Sequence, residues 1–298
     1  MEESVTVYQL KQEIHKQDID YLLTHNRENI CFFRFVGGNT SQNDEIFKQL
    51  YRLRDSKTIV FGIFRFPFRF EGKQRMDIAI QQYYKLKKVC DSVIYFYSDG
   101  MMELLEEGTS IREANILFEE FEKSPIQAIG EMVRQTGDIN IDFQDLQSFI
   151  KKKDGALFVR TIEGDSFDEP LKYLISTPYL SQEYADGKQL MVNIGYTTDV
   201  DMNAFRQINL RINDLFHKME IFKVGSYLIN QPGKSLKVTL LANGISDPFQ
   251  EPEGTKNIPL YRYWFMNKWK KVTQKDKQSD WFSVMNKTVE TIKKDRLL

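Results

Sequence analysis

The sequence predicts a two-domain α/β protein, and three observations carry that prediction. The chain has 298 residues, a length at which a single hydrophobic core usually stops growing, so one large or two medium domains are expected. Three apolar runs, rich in β-branched and aromatic residues, alternate with two helical patterns before Asp99. After Gly155 four more such runs follow, again separated by helical segments. Strand, helix, strand, helix, strand is the signature of a parallel sheet with right-handed crossovers.

The first strands are Ile30–Val36, Thr58–Phe64 and Val93–Tyr97. Runs this short and this apolar read as strands buried on both faces. Between them, Asp44–Leu53 and Lys73–Val89 carry apolar residues at near-helical spacing. A longer helix is expected from about Thr109. Ser110 followed by Glu113 is a capping box, in which the hydroxyl accepts from a free backbone N–H and the carboxylate reaches back. Pro125 is expected to kink or interrupt that helix, because proline lacks an N–H and clashes with the preceding turn. Beyond it, Ala156–Ile162, Leu190–Ile194, Ile221–Ile229 and Ser235–Leu241 read as strands, with helical segments at Glu169–Ile175 and Met202–Met219.

Composition removes several classes of function. Lys plus Arg is 41 against 42 for Asp plus Glu, a net charge of -1, so the whole chain is neither a strongly basic nucleic-acid binder nor an acidic solvating protein. Hydrophobic residues at 41% are enough for a packed core. Cys31 and Cys90 are too few for a disulfide framework or a cysteine zinc site, and His15, His25 and His217 are scattered. No stretch approaches the roughly 20 apolar residues needed to span a bilayer, and Met1-Glu-Glu-Ser-Val opens no secretory signal. A soluble cytoplasmic protein is the expectation.

Several stretches, in order, resemble FtsZ, the bacterial relative of tubulin. Pro67-Phe-Arg-Phe-Glu-Gly-Lys-Gln-Arg75 is similar to that family's PFxFEGxxR segment, and Gly108-Thr-Ser-Ile-Arg-Glu-Ala114 to the start of its central helix. Asn140-Ile-Asp-Phe-Gln-Asp145 is similar to its NxDxxD synergy loop. Ile175–Leu180, Val192–Ile194 and Val238–Gly244 look like its C-terminal domain. The resemblance implies a truncated tubulin/FtsZ-type Rossmann-like domain, a central helix, and a tubulin/FtsZ-type C-terminal α/β domain. The corresponding boundaries are 1–107 for the partial nucleotide-binding-type domain and 108–153 for the central helix and synergy loop. The C-terminal domain then covers 154–247, and a linker with a basic aromatic tail covers 248–298.

The departures from the family pattern concern the nucleotide. The first glycine-rich phosphate loop lies upstream in the family, and this chain begins shortly before Ile30, so that half of the domain is expected to be absent. The second loop, GGGTGTG in the family, reads Gly37-Gly38-Asn39-Thr40-Ser41-Gln42-Asn43-Asp44. Such a loop works because glycines let backbone N–H groups approach phosphate oxygens at a helix N-terminus. Here two glycines remain, and Asp44 puts a negative charge where phosphates would sit. The positions matching the family's stacking aromatic and base-bonding residue are Asn115 and Glu119. The resemblance thus leaves Gly37, Gly38, Thr40, Glu71, Arg75 and Glu119 as a relic nucleotide site. The alternative for Gly37 and Gly38 is a plain strand-to-helix turn, and for Glu71 and Arg75 a pair of exposed helix-end charges.

In the family the synergy loop inserts into the nucleotide site of the next subunit, where its carboxylates orient water and help hold a cation. Phosphoryl hydrolysis needs that positioning and charge organisation. Asn140, Asp142 and Asp145 would act this way in trans on a partner; the alternative is an N-terminal helix cap, worth about 0.3–1 kcal/mol. The tail is distinct again. From Ile258 to Leu298 ten Lys or Arg stand against four acids, +6 within a chain whose net charge is -1. Arg262, Trp264, Lys268, Trp269, Lys270 and Lys271 mix aromatics with cations, which suits an anionic membrane surface or a partner. They would equally suit stacking on single strands or packing onto the domain with lysines outward.

The resulting expectation is an FtsZ-like cytoskeletal or division-related pseudo-GTPase that docks on an FtsZ-like subunit, or on itself, through its synergy-loop face. No cofactor is expected, with GTP and Mg bound only if a partner completes the site. Two alternatives stand beside it: an active, polymerising FtsZ-type GTPase, and a peripheral membrane adaptor working through the tail. Nucleic acid is the least favoured partner.

Overall fold

The computed structural model describes residues 5–10, 16–24, 28–39, 43–151, 155–165, 175–230 and 233–256. The first sheet has the order β1-β2-β3-β4, from Thr6–Leu10, Asn29–Val36, Thr58–Phe66 and Ser92–Tyr97, all parallel. Helices α1 (Lys16–Thr24), α2 (Asn43–Tyr51) and α3 (Lys73–Val89) form the crossovers. Every residue of β3 is buried, as expected of a strand with neighbours on both edges and cover on both faces. An open sheet edge needs pairing or shielding, a role the sequence offers to Val5–Leu10 or the tail, and α1 is not foreseen. β1 lies in register beside β2, Val7 opposite Ile30, and so shields the edge that β2 would otherwise expose.

Alternation along the strands sorts two faces. On one, Phe35, Phe64 and Phe66 pack with Phe47 of α2 and Tyr83 of α3; Phe35 and Phe64 are stacked at 5.6 Å. The other face meets α5 (Ile111–Arg134), the central helix. Here the sheet places two cations, Arg34 and Arg65, against Glu122 of α5. Arg34 Nε donates to Glu122 Oε2 at 2.9 Å, and Arg65 Nη1 lies 3.2 Å from Oε1. Glu122 is 3% exposed. Arg65 also lies over the Phe118 ring, 5.8 Å from its centroid.

The capping box expected at Ser110 and Glu113 is formed: Ser110 N–H donates to Glu113 Oε2 at 2.9 Å, and Glu113 N–H to Ser110 Oγ at 3.3 Å. Of the kink or interruption expected at Pro125, the interruption does not occur; α5 runs unbroken through it. Proline costs about 3 kcal/mol in a helix interior. The burial of Pro125, Ile126, Ile129 and Met132 supplies a tertiary term large enough to offset that cost.

After the short α4 (Ser98–Met102), α5 and α6 (Phe143–Ile150) comes a second sheet of β5 (Ala156–Gly164), β6 (Gln189–Tyr196), β7 (Glu220–Leu228) and β8 (Leu236–Ile245). Its order is β5-β8-β6-β7: β8 runs antiparallel to β5 and β6, and α7 (Met202–Leu215) makes the parallel β6–β7 crossover. Asp201 caps α7 by accepting from Ala204 N–H at 2.7 Å. The helix expected at Glu169–Ile175 falls almost wholly outside the described residues.

The segment before β6 is fastened to the first sheet and to α5 through Tyr179. Tyr97 N–H donates to the Tyr179 carbonyl at 3.0 Å, and the Tyr179 ring stacks on Phe121 at 4.7 Å. The chain after β8 also returns to α3. Asp247 accepts from Tyr83 Oη at 2.7 Å and pairs with Lys87 Nζ at 2.6 Å, while Lys88 lies 3.3 Å from Glu251. Burial first, and the Asp247 carboxylate second, raise the Tyr83 phenol well above its usual range, so it stays a donor. This stretch, read from sequence as a linker, is fastened to the first domain.

Replacing Glu122 by Gln leaves Arg34 and Arg65 facing each other without a counter-charge. A loss of about 3–5 kcal/mol is expected, read as a fall in the urea midpoint at unchanged slope.

Candidate functional site

The relic phosphate loop follows β2. Gly37 N–H continues the ladder by donating to the Arg65 carbonyl at 2.9 Å. Gly38 N–H donates to Gln82 Oε1 at 2.7 Å, and Gln82 Nε2 donates to the Asn39 carbonyl at 2.6 Å. Gln82 comes from α3 and is 2% exposed. One buried amide therefore occupies the loop's donor and acceptor at once. Gly38 has φ +97°, and a Cβ there would lie 2.6 Å from Arg75 Cγ; the space over the glycine already holds an arginine stem. A phosphate cradle needs backbone N–H groups free to point at oxygens. As folded, Gly37 and Gly38 do not offer theirs.

Glu71 and Arg75 are not exposed helix-end charges. The turn Arg69–Glu71 folds Glu71 back so that its Oε1 accepts from Phe68 N–H at 2.9 Å and its Oε2 lies 2.8 Å from Arg75 Nε. The Glu71 side chain is 3% exposed. Each charge answers the other, and Arg75 covers Gly38. Glu119, by contrast, sits on the solvent side of α5, 3.9 Å from Lys123, and Asn115 is half-buried. Gly37, Gly38, Glu71 and Arg75 are thus brought together, Glu119 is turned to solvent, and Thr40 lies outside the described residues. Asp44 lies in the first turn of α2.

The synergy loop is better defined. Asp142 N–H donates to Asp145 Oδ2 at 3.0 Å and Asp145 N–H to Asp142 Oδ1 at 2.8 Å, a reciprocal cap on α6. Asn140 Oδ1 accepts from Gly137 N–H at 2.7 Å. The loop is laid on the outer edge of β7: Ile139 and Ser226 exchange backbone bonds at 3.3 and 3.0 Å. Gly137 makes that approach possible, because a Cβ there would lie 2.1 Å from the Ser226 carbonyl oxygen. Lys223 of β7 pairs with Asp145, and Tyr196 of β6 donates to Asp138 Oδ2. Burial pushes the Asp145 carboxyl up, but Lys223 and the Asp142 N–H outweigh it and hold the group below its usual range. Asn140 and Asp142 are exposed on this face. The helix-cap reading of Asp142 and Asp145 is realised, and Asn140 and Asp142 stand exposed beside it.

Gln82, Lys223 and Tyr196 were not singled out from sequence. Each reaches its partner from a distant element, so no local spacing marks it. The residues Arg262, Trp264, Lys268, Trp269, Lys270 and Lys271 lie outside the described residues. Among the described residues no group of His, Cys, Asp and Glu is arranged to hold a metal ion, and no helix is long and apolar enough to cross a membrane.

No family model matches the chain. The cell division protein FtsZ of Buchnera aphidicola (subsp. Schizaphis graminum) is 28% identical over 211 residues, 67% of this chain and 55% of that protein. FtsZ of Wigglesworthia glossinidia brevipalpis is 26% identical over 255 residues, 82% of this chain and 66% of that protein. An FtsZ point mutant from M. jannaschii superposes with a TM-score of 0.64 at 15% identity, over 80% of this chain and 71% of its own. The chain belongs to the tubulin/FtsZ superfamily. Within it, this FtsZ-like chain spans roughly half to two thirds of the curated relatives it matches, 55% and 66% of the two named. CetZ1 from Haloferax volcanii, a GDP-bound monomer, shares the fold at a TM-score of 0.58 and 13% identity, over 84% of this chain and 71% of its own.

Two outcomes follow for the FtsZ-like chain. Gly38→Ala forces a positive φ on a Cβ and displaces Arg75, and should cost about 1–3 kcal/mol in chemical denaturation. Asp145 is held below its unfolded pKa, so its pair with Lys223 adds stability above the ordinary aspartate range near about pH 4. That contribution is lost as pH falls through the lower folded value. Lys223→Met should flatten this acid slope in urea titrations at stepped pH.

Proposed function

We propose that this chain is a cytoskeletal, division-related FtsZ-like protein that binds little or no guanine nucleotide itself. It docks through its synergy-loop face on a nucleotide-bearing FtsZ-type subunit. One observation carries the first part: the Gly38 N–H, the Asn39 carbonyl and the side of Gly38 are all taken by Gln82 and Arg75. Nucleotide would have to break those bonds before gaining its own. The docking part is supported by Asn140 and Asp142, which stand exposed on a loop braced against β7. A subunit with one competent face ends or regulates a filament rather than extending it.

The second reading, an active GTPase that polymerises, is favoured by the chain's covering only 55% of one FtsZ relative. The remainder of a nucleotide domain supplied from elsewhere would let GTP and Mg bind. Calorimetric titration of the purified chain with GTP separates the two. No heat up to millimolar nucleotide is expected, whereas micromolar affinity would establish the second reading. For docking, the chain is added to a polymerising FtsZ, and GTP turnover and sedimentation are followed. A change with wild type, lost in the Asp142→Ala, Asp145→Ala double variant, is the expected outcome; no change rejects the docking role. A further proposal, contact of the basic tail with an anionic membrane, is tested by liposome co-sedimentation against a chain ending at Gly254.

A further inference from the structure

Resting on the docking reading, we infer that Lys223 is a positioning residue that decides which carboxylate the loop presents to a partner. Three aspartates lie along the loop, and their surroundings differ. Asp138 is taken by the Tyr196 hydroxyl. Asp145 is taken by the Lys223 ammonium and by Asp142 N–H, with its side chain 23% exposed. Among the described residues Asp142 has no ion pair and no hydroxyl bond; it is exposed and accepts one backbone N–H through Oδ1. The loop cannot swing to exchange these roles, because Ile139 is bonded to Ser226 in both directions and Asn140 is turned back on Gly137.

The consequence is chemical. A partner offering a nucleoside triphosphate presents several negative charges, and three free carboxylates would meet them with repulsion. Lys223 cancels one charge and Tyr196 hydrogen-bonds a second. That leaves one carboxylate, Asp142, to address a water or a cation at the partner's phosphates. Lys223 reaches the reaction only through Asp145, from a neighbouring strand; it is not itself a catalytic residue.

The test is a double-mutant cycle on the GTP turnover of an FtsZ partner mixed with the full chain. Asp142→Asn should abolish the effect by about tenfold or more, on the scale that misplacing an orienting group costs. Asp145→Asn alone should reduce it by a smaller factor than Asp142→Asn, since it also frees the Lys223 ammonium. In a Lys223→Met background Asp145 is released, so the same Asp145→Asn change should now matter more, and Lys223→Arg should behave as wild type. Equal effects of Asp145→Asn in both backgrounds would overturn the inference, whereas a wild-type chain with no effect on turnover would sink the docking reading instead. In that case carboxyl NMR titration still decides the point. The Asp145 titration should move up in Lys223→Met, and an unchanged Asp145 titration overturns the inference.

Discussion

One buried carboxylate organises the centre of this molecule. Glu122 comes from α5 and meets Arg34 of β2 and Arg65 of β3. Burying three charges is expensive, and geometry and multiplicity of hydrogen bonds decide whether the cost is recovered. Here the two guanidiniums approach the two oxygens of one carboxylate, Arg34 through a hydrogen bond to Oε2 and Arg65 as an ion pair with Oε1. The arrangement ties a helix to two strands at a single register. A one-turn slide of α5 would carry Glu122 away from both arginines. Because α5 leads into the loop at Gly137, that register also fixes where the loop meets β7.

The two loops are treated in opposite ways. At Gly37 and Gly38 the backbone's donors are consumed within the chain, by a strand carbonyl and by Gln82. At Asn140 and Asp142 the backbone is pinned just as firmly, yet the side chains are left outside. Both outcomes follow from the rule that polar groups leaving water must find partners. In the first loop the partner lies over the glycines and closes them. In the second it lies behind the loop, on the edge of β7, and pushes the polar side chains outward. The strap from Ser246 to Lys256 then binds the second domain to α3, so both loops sit on one connected body.

Much of this was legible in the residues. The strands Ile30–Val36 and Thr58–Phe64 were read within two residues of their ends, because central parallel strands are apolar on both faces. The Ser110–Glu113 and Asp142–Asp145 caps were legible because both partners lie within one turn. β1 was harder. Val5–Leu10 offers no more than cover for the sheet edge, since an edge strand in which Leu10 alone is buried carries a weak signal. Interruption at Pro125 is what local sterics alone predict, and the burial around it keeps the helix continuous.

The order of elements, the family resemblance and the positions of the two loops were determined by the sequence alone. They rest on periodicity, capping and turn chemistry, all interactions across a few residues. Which loop is closed and which is open was decided only by the tertiary structure. Gln82 reaches Gly38 from α3, Lys223 reaches Asp145 from β7, and Glu122 reaches Arg34 from α5. Such pairings depend on how elements dock, and side chains brought together that way leave no spacing in the chain for a reader to find.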